Sequence, residues 1–222
     1  LQQAEYGVES GATELHIVSA LHPELPFNYY VEIILFVGNG FHYTPKAFTA
    51  VEIDYFTRIS GLSLPEVLLT LKEAGLDSLP GGGAEVFSPR VRDKLCPNKA
   101  NSERWLEVMR TAHSLGLKSN STMLYGQIET LEERVNHLLA LRNLQDETSG
   151  FQSFIPLPFH PQNTQLASIQ RTTAFEETYT DSPLSRSKPT APTASPSFVR
   201  TSINTVQSKT LIDGIRSIAF LR

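Results

Sequence analysis

The sequence has 222 residues, of which 40% are hydrophobic, and a formal net charge of -4 at pH 7. This length suits one sizeable core or part of a larger barrel, and it argues against two large independent domains. Lys and Arg are scattered along the chain, so the charge pattern predicts neither a nucleic-acid nor a membrane partner. No apolar run approaches the roughly 20 residues that span a bilayer, and no signal pattern opens the chain. We therefore expect a cytoplasmic protein with a small-molecule partner.

Cys96 is the only cysteine of the chain. A single thiol excludes an intrachain disulfide, a thiolate zinc site and a complete iron-sulfur site within these residues. Leu95 and Pro97 flank it, and no basic partner is identifiable, so a packed thiol is favoured over a nucleophile. The chain begins inside a predicted helix over residues 2–11, which indicates that further sequence lies upstream.

Short β-branched or apolar runs alternate with longer segments of helical period between residues 14 and 157. This alternation is typical of βα units around a parallel sheet. Strands are predicted, in chain order, at residues 14–19, 46–49, 77–79, 118–124 and 151–157. Helices are predicted at residues 27–37, 89–95, 103–115 and 130–145, with two more helical stretches after residue 49.

Two helix starts carry capping boxes, in which a Ser or Thr is followed three residues later by Glu. Ser63 and Glu66 form the first, with Pro65 in the first turn, and Thr130 and Glu133 form the second. These pairs predict that helices begin just after Ser63 and Thr130.

Repeated βα units form either an open doubly wound sheet or a closed barrel, and periodicity alone does not decide between them. Several of the predicted strands, however, are followed by candidate functional residues, which are His22, residues 81–85 and His160. Strand ends meet at one mouth in a barrel, so a barrel or partial barrel of the TIM type is favoured. Residues 178–202 are dominated by Ser, Thr and Pro, a composition that predicts disorder. We therefore divide the chain into a partial barrel over residues 1–175 and a divergent tail over 176–222.

The segment Pro80-Gly-Gly-Gly-Ala-Glu85 follows a predicted strand. Glycines let the backbone approach a ligand closely, and a carboxylate accepts hydrogen bonds from ribose hydroxyls. Gly81, Gly82, Gly83 and Glu85 are therefore candidate cofactor-binding residues. A tight turn with a solvated Glu is the alternative, because a lone glycine cluster is weak evidence.

Two further loops follow strands and carry polar side chains. His22 lies beyond the first strand, and His160 and Asn163 follow the last. They can orient a carboxylated or nucleoside ligand, although ordinary turn chemistry also explains them. A catalytic residue and a metal site are not identifiable from these patterns.

Other polar residues have simpler explanations. Glu133, Arg134 and Arg142 have the spacing of a solvated helix face, and His137 is expected to be structural. The small polar residues 119–122 lie on a predicted inward face, where they leave room for a ligand, although plain strand alternation also accounts for them.

Taken together, residues 4–175 resemble the radical S-adenosylmethionine (SAM) family of menaquinone biosynthesis, which contains aminofutalosine synthase and dehypoxanthine futalosine cyclase. Residues 119–125 and 159–164 are more similar to the synthase than to the cyclase. The segments that carry the resemblance are Glu14-Leu-His-Ile-Val, Leu21-His-Pro-Glu-Leu-Pro26, Lys46-Ala-Phe-Thr-Ala-Val-Glu-Ile53, Ser78-Leu-Pro-Gly-Gly-Gly-Ala-Glu85, Thr122-Met-Leu-Tyr-Gly126, Leu144-Gln-Asp-Glu-Thr148 and Phe154-Ile-Pro156.

The resemblance implies a partial TIM-type barrel, SAM and a 4Fe-4S cluster as cofactors, and an electron donor that reduces the cluster. It implies a transferase in which the 5′-deoxyadenosyl radical adds to 3-(1-carboxyvinyloxy)benzoate and gives aminodeoxyfutalosine. Glu85 is then the candidate for the SAM ribose, with residues 81–83 allowing close approach. His22, His160 and Asn163 become candidates for the substrate side.

This chain departs from the family at several places. Ser19 and Ala20 replace a Gly-Gly pair where the backbone meets the SAM amino group, and Gln127 replaces a common His. The three-cysteine segment that binds the cluster is missing, and iron-sulfur clusters need such thiolates. We therefore expect this chain alone to be an inactive fragment. The cyclase activity and a non-catalytic remnant remain alternatives, as does a βα-barrel lyase that needs no cluster.

Overall fold

A computed structural model describes residues 6–7, 9, 11–41, 44–160 and 164. Its strands form one parallel sheet in the order β1-β2-β3-β4-β5. An open doubly wound sheet reverses its strand order at a switch point, whereas a barrel wall adds each strand beside the previous one. The sequential order therefore confirms the predicted partial barrel. The bounds are β1 (Glu14–Ile17), β2 (Thr44–Ala47), β3 (Ser78–Leu79), β4 (Lys118–Tyr125) and β5 (Phe151–Pro158).

Helices fill the connections between these strands. Because parallel crossovers are right-handed, sequential strands place their helices on the same face of the sheet. Within the described residues, no helix is long and apolar enough to cross a membrane. The bounds are α1 (Phe27–Phe41), α2 (Ala50–Ser60), α3 (Leu64–Glu73), α4 (Pro89–Leu95), α5 (Ser102–Ser114) and α6 (Leu131–Thr148).

Side-chain caps begin most of these helices. The boxes predicted at Ser63 and Thr130 are confirmed, and in both the Glu three residues later also bonds back to the cap. A third box, Thr49 with Glu52, begins α2. The pattern alone does not reveal this box, because it predicts a strand that includes Thr49, whereas Thr49 caps the helix.

The second strand overlaps its prediction but begins and ends two residues earlier. It runs over Thr44–Ala47 instead of 46–49, because Phe48 has a left-handed φ of 61° and ends the strand. A bulky residue in this conformation is uncommon, and it costs on the order of 1–3 kcal/mol. The turn after β2 is therefore strained, and it lies at the edge of the sheet where the candidate ligand residues lie.

The two faces of the sheet differ in polarity. Ala47 and Leu79 are fully buried in the main apolar core, together with Trp105 of α5. Lys46 and Ser78 alternate with them along the strands and are neighbours in register, so they lie on the opposite face. One face thus packs under the helices, and the other provides the polar lining expected inside a barrel.

Candidate active site

The loops that follow the strands collect at one edge of the sheet. All strands are parallel, so their carboxyl ends lie at the same edge. His22 follows β1, the loop of residues 81–85 follows β3, and His160 follows β5. The structure therefore places these predicted residues at a common edge, while Asn163 lies outside the described residues.

Residues 80–85, which we call the glycine loop, pack tightly against neighbouring elements. A Cβ atom on Gly81 would lie 2.8 Å from the carbonyl oxygen of Asn120 and from Cα of Ser121. On Gly82 it would lie 2.9 Å from Cγ2 of Thr49. Gly81 thus allows the loop to pack closely against β4, and Gly82 allows it to pack against the start of α2. Packing alone therefore requires glycine at these two positions, whether or not a ligand binds.

Gly83 and Glu85 both have positive φ angles, of 79° and 49°. Glycine adopts this conformation freely, whereas for Glu85 it is strained. The carboxylate of Glu85 accepts a hydrogen bond of 2.7 Å from Nζ of Lys99. The side chain of Glu85 is 15% exposed, so solvent and small molecules still reach it.

Three side chains from different elements hold the glycine loop by its carbonyl oxygens. Thr122 donates to Gly81 at 2.6 Å, and the indole N–H of Trp105 donates to Gly82 at 3.1 Å. Arg92 of α4 donates to the carbonyl oxygens of Gly83, Ala84 and Ala100. The loop is therefore fixed by long-range contacts.

Arg92 and Trp105 were not identified from the sequence. Arg92 is 4% exposed, although charged residues are seldom buried without a partner. Trp105 is the only tryptophan, and a buried indole needs an acceptor. The sequence therefore indicates that the indole N–H of Trp105 has an acceptor, but it does not identify the carbonyl group that accepts.

Glu52 connects the loops after β1 and β2. Its Oε1 accepts hydrogen bonds from the backbone N–H and the hydroxyl of Ser19, both at 2.8 Å. Its Oε2 accepts from the N–H and the hydroxyl of Thr49, both at 2.7 Å. Glu52 is 2% exposed, so this carboxylate is buried with four donors. The predicted crowding at Ser19 remains a prediction, and its hydroxyl is engaged by Glu52.

We expect the Glu52→Gln variant to lower the free energy of unfolding by about 2 kcal/mol, because an amide NH2 would face buried N–H and hydroxyl donors. Glu66→Gln is the matched control, since Glu66 occupies the same position of an exposed capping box. Its loss should be clearly smaller. Urea unfolding of both variants measures the difference, and equal losses would contradict the role of Glu52 as a buried connector.

The two histidines that were predicted for the substrate side are exposed, unlike the buried Glu52. His22 is exposed, its Nδ1 accepts the N–H of Glu24 at 3.2 Å, and its carbonyl oxygen accepts the hydroxyl of Tyr55. His160 is also exposed. Their roles toward a substrate therefore remain predictions.

His137 is structural, as predicted. It is fully buried, its Nδ1 lies 3.2 Å from the N–H of Phe87, and its Nε2 lies 2.9 Å from the carbonyl oxygen of Thr122. This arrangement requires a neutral ring that accepts at Nδ1 and donates at Nε2. Burial lowers the pKa of His137 to about 3. The ring thus connects α6 to β4 and to the segment after the glycine loop.

The solvated face predicted for α6 is wrong for two of its three residues. Arg134 is 12% exposed and pairs at 2.8 Å with Glu129, which is fully buried. Glu133 is 17% exposed, and hydrogen bonds from Arg90 and Ser88 help lower its pKa to about 2. Only Arg142, paired with the exposed Asp146 one turn away, matches the prediction. Arg134 and Glu133 are half-buried because the segments around Ser88 and Gly126 fold against the start of this helix.

No cluster of three or more His, Cys, Asp or Glu side chains in the described part of the chain is arranged to hold a metal ion. Cys96 is buried and free. Burial raises the pKa of its thiol, which disfavours the thiolate that a metal or an electrophile requires. The expectation of a packed thiol is confirmed.

The model of the radical SAM superfamily matches residues 1–141. This match covers more than half of the sequence, and the chain belongs to the radical SAM superfamily, whose enzymes use SAM and a 4Fe-4S cluster. The radical SAM part of the resemblance drawn from the ordered motifs is thereby confirmed.

The curated relatives of this chain include two aminodeoxyfutalosine synthases and an archaeal hydroxyphenyl transferase. The aminodeoxyfutalosine synthase of Thermus thermophilus is 53% identical over 160 residues, which cover 72% of this chain and 43% of that enzyme. The aminodeoxyfutalosine synthase of Streptomyces coelicolor is 49% identical over 66% of this chain and 38% of that enzyme. A 5-amino-6-(D-ribitylamino)uracil--L-tyrosine 4-hydroxyphenyl transferase of Methanosarcina acetivorans is 39% identical over 75% of this chain and 44% of that enzyme. The chain spans less than half the length of each of these relatives.

Proposed function

We propose that this chain is part of a radical SAM transferase of the aminodeoxyfutalosine synthase type. The observation that carries the proposal is the 53% identity with the Thermus enzyme, against 39% with the archaeal hydroxyphenyl transferase. In the proposed reaction one electron from the external donor would break the C5′–S bond of SAM, so that methionine leaves and the 5′-deoxyadenosyl radical adds to the enol-ether carbon of 3-(1-carboxyvinyloxy)benzoate. Rearrangement, loss of carbon dioxide and return of the electron would then give aminodeoxyfutalosine. The chain's own residues bind and orient the two molecules.

Glu85 and the glycine loop are the proposed SAM-binding residues. The carboxylate of Glu85 accepts from Lys99 through Oε1, and carboxylate oxygens have further lone pairs for ribose hydroxyls. The bonds from Trp105 and Arg92 fix the loop before the ligand binds, which reduces the entropy lost on binding. His22, His160 and Asn163 are proposed for the substrate side.

The residues of this chain do not fit the 4Fe-4S cluster. A four-iron cluster is held by several thiolates, and the sequence contains one cysteine, which is buried. We therefore assign no step of the reaction to a cluster held by these residues. In the proposed function the cysteine ligands and the electron donor are supplied from outside this chain.

A second candidate function is a non-catalytic barrel that binds SAM or a related nucleoside. The single cysteine favours it, because a chain with the proposed ribose-binding loop but no set of cluster ligands could bind without turnover. The two functions share the glycine loop and differ in whether the aromatic substrate binds.

Trp105 provides the test of SAM binding, because the only tryptophan donates to the glycine loop and its fluorescence reports changes there. We expect saturable fluorescence changes with SAM, and an affinity at least about tenfold weaker in Glu85→Gln. Lys99→Met is the matched control, since it removes the ion-pair partner but leaves the carboxylate free for ribose. Unchanged affinity in Glu85→Gln would contradict the assignment of the ribose.

A second titration separates the candidates. If the chain is part of the proposed transferase, we expect it to bind 3-(1-carboxyvinyloxy)benzoate more tightly than L-tyrosine when SAM is present. If SAM binds but neither aromatic acid does, the non-catalytic barrel is favoured. Preference for L-tyrosine would instead favour the reaction named for the archaeal relatives.

A further inference from the structure

The face of the sheet opposite the helices, which we call the inner face, carries polar side chains on successive strands. Lys46 of β2 and Ser78 of β3 lie on this face and are neighbours in register. On β4 the hydroxyl of Ser119 contacts His113 of α5, so the next residue, Asn120, lies on the inner face. Three neighbouring strands thus each place a hydrogen-bonding side chain there.

The hydroxyl of Ser78 is buried without a partner. Ser78 is fully buried, and its Oγ has no hydrogen-bond partner among the described residues. The large majority of buried side-chain polar atoms in folded proteins have such a partner, either a protein group or ordered water. The position therefore calls for a further polar group on the inner face.

Lys46, on the strand next to Ser78, is a buried cation whose hydrogen bonding is also incomplete. Its side chain is 5% exposed, and its ammonium lies 3.2 Å from Oε2 of Glu14. An ammonium has three donors, and Glu14 provides the one acceptor that the described residues offer it. The same carboxylate also bonds through Oε1 to Nε2 of His16 at 2.6 Å. Two donors of Lys46 therefore remain for another acceptor.

The chemistry of the two groups selects an anion with more than one oxygen. Neighbouring strands are about 4.8 Å apart, so Lys46 and Ser78 start from points that one carboxylate can bridge. An ammonium has no acceptor atom, and a carboxylate has two oxygens that accept several hydrogen bonds. Charge-assisted hydrogen bonds of this kind are roughly twice as strong as neutral ones, and the attraction between the charges increases where water is excluded.

The pair lies close to the glycine loop. Ser78 precedes Pro80, the first residue of that loop, by two positions, which is a rise of about 7 Å along the strand. Gly81 lies against β4, since its Cβ would be 2.8 Å from the carbonyl oxygen of Asn120. A molecule bound on the inner face beside the proposed SAM site would therefore have Lys46 and Ser78 within its length.

We propose that Lys46 and Ser78 bind a carboxylate of the aromatic acid substrate. The proposal deepens the proposed function and rests on it for the identity of the acid. 3-(1-Carboxyvinyloxy)benzoate has two carboxylates, and a carboxylate removed from water needs a cation and hydrogen-bond donors. The methionine carboxylate of SAM is another source of the same chemistry, and bound water is the alternative occupant.

Ser78→Ala separates binding from folding. Because the hydroxyl has no protein partner, its removal should leave the free energy of unfolding in urea unchanged. It should weaken binding of 3-(1-carboxyvinyloxy)benzoate roughly tenfold, because a hydrogen bond to a charged group is lost. The dimethyl ester, which has no carboxylate, should bind the wild type and the variant equally weakly. Calorimetric titration of the full chain, with and without SAM, measures these affinities, and equal affinity of the acid for both proteins would overturn the proposal.

Lys46→Met and Glu14→Gln should change the affinity for the acid in opposite directions. Lys46→Met removes the cation and should weaken binding at least about tenfold. Lys118→Met is the matched control, since it removes an exposed ammonium that bonds to the carbonyl oxygen of Ser149, and it should change the affinity less than about threefold.

Glu14→Gln removes the carboxylate that competes for the ammonium, so it should strengthen binding about threefold or more. A lysine that served only to neutralise Glu14 would give no such gain, and unchanged or weaker binding in folded Glu14→Gln would overturn the proposal. If Lys46→Met does not fold, Ser78→Ala and Glu14→Gln decide.

Failure of this inference and failure of the proposed function give different results. If binding of the acid depends on Lys46 and Ser78 while SAM leaves Trp105 fluorescence unchanged, the carboxylate site holds and the proposed function fails. If SAM binding depends on Glu85 and the acid binds all variants equally, the proposed function holds and the carboxylate site fails. If Ser78→Ala weakens binding of SAM instead of the acid, the site belongs to the methionine carboxylate and the proposal is overturned.

Discussion

Replacing Gly81 with Ala is expected to lower the free energy of unfolding by at least about 3 kcal/mol, enough to unfold much of the chain. The new Cβ would lie 2.8 Å from the carbonyl oxygen of Asn120 and from the carbonyl carbon and Cα of Ser121. These are backbone atoms of β4, a strand hydrogen-bonded on both sides, so they cannot move away as a flexible side chain would. Relief of the clash requires the glycine loop to leave its position.

Gly38→Ala in α1 is the matched control, because it adds the same methyl group at a glycine with nothing within 4 Å of the new atom. Ala is the better helix former by about 1 kcal/mol, so this variant should be as stable as the wild type or slightly more stable. Urea unfolding followed by circular dichroism measures both. A loss below about 1 kcal/mol in Gly81→Ala would show that the loop is not packed against β4 as described.

Much of the architecture could be predicted because local patterns determine it. The capping box of Thr130 and Glu133 fixed the start of α6, and Pro89 with the helical period after it fixed α4. The order of the strands could not be obtained in this way. Strand pairing depends on contacts between distant residues, such as Lys46 with Ser78, and periodicity contains no information about them.

The candidate site could be predicted only in outline. The position of the glycine loop after a strand was visible in the sequence, as was the Glu that ends it. What fixes the loop was not visible, because Arg92, Trp105 and Thr122 act across the fold. The buried carboxylate of Glu52 was missed for a related reason. Its partner Ser19 lies 33 residues away, and nothing in the sequence marks the pair.

We expect the free energy of unfolding to decrease as the pH falls from 7 to 5, which is above the pH range in which carboxylates titrate. Burial lowers the pKa of His137 to about 3 and that of His113 to about 4, from the ordinary imidazole pKa of about 6.5. Between pH 6.5 and 4 the unfolded chain therefore binds more protons than the folded chain, and the free energy of unfolding decreases as the pH falls. From pH 7 to pH 5 the two rings together should remove about 3–4 kcal/mol, at about 1.4 kcal/mol per pKa unit for each.

His113 and His137 can be separated by substitution, because they connect different parts of the fold. His113 lies 2.7 Å from the hydroxyl of Thr148 and 2.8 Å from that of Ser119, whereas His137 joins α6 to Thr122 and Phe87. Each single Gln variant should be less stable at pH 7 and should lose about half of the pH dependence. The double variant should show an almost flat free energy of unfolding between pH 7 and 5, measured by urea titration at each pH. Glu133, whose pKa is about 2, contributes below this window, since its stabilisation is lost only as the pH falls below about 4.5. A wild-type unfolding free energy that stays constant between pH 7 and 5 would mean that neither imidazole is held neutral in the folded chain.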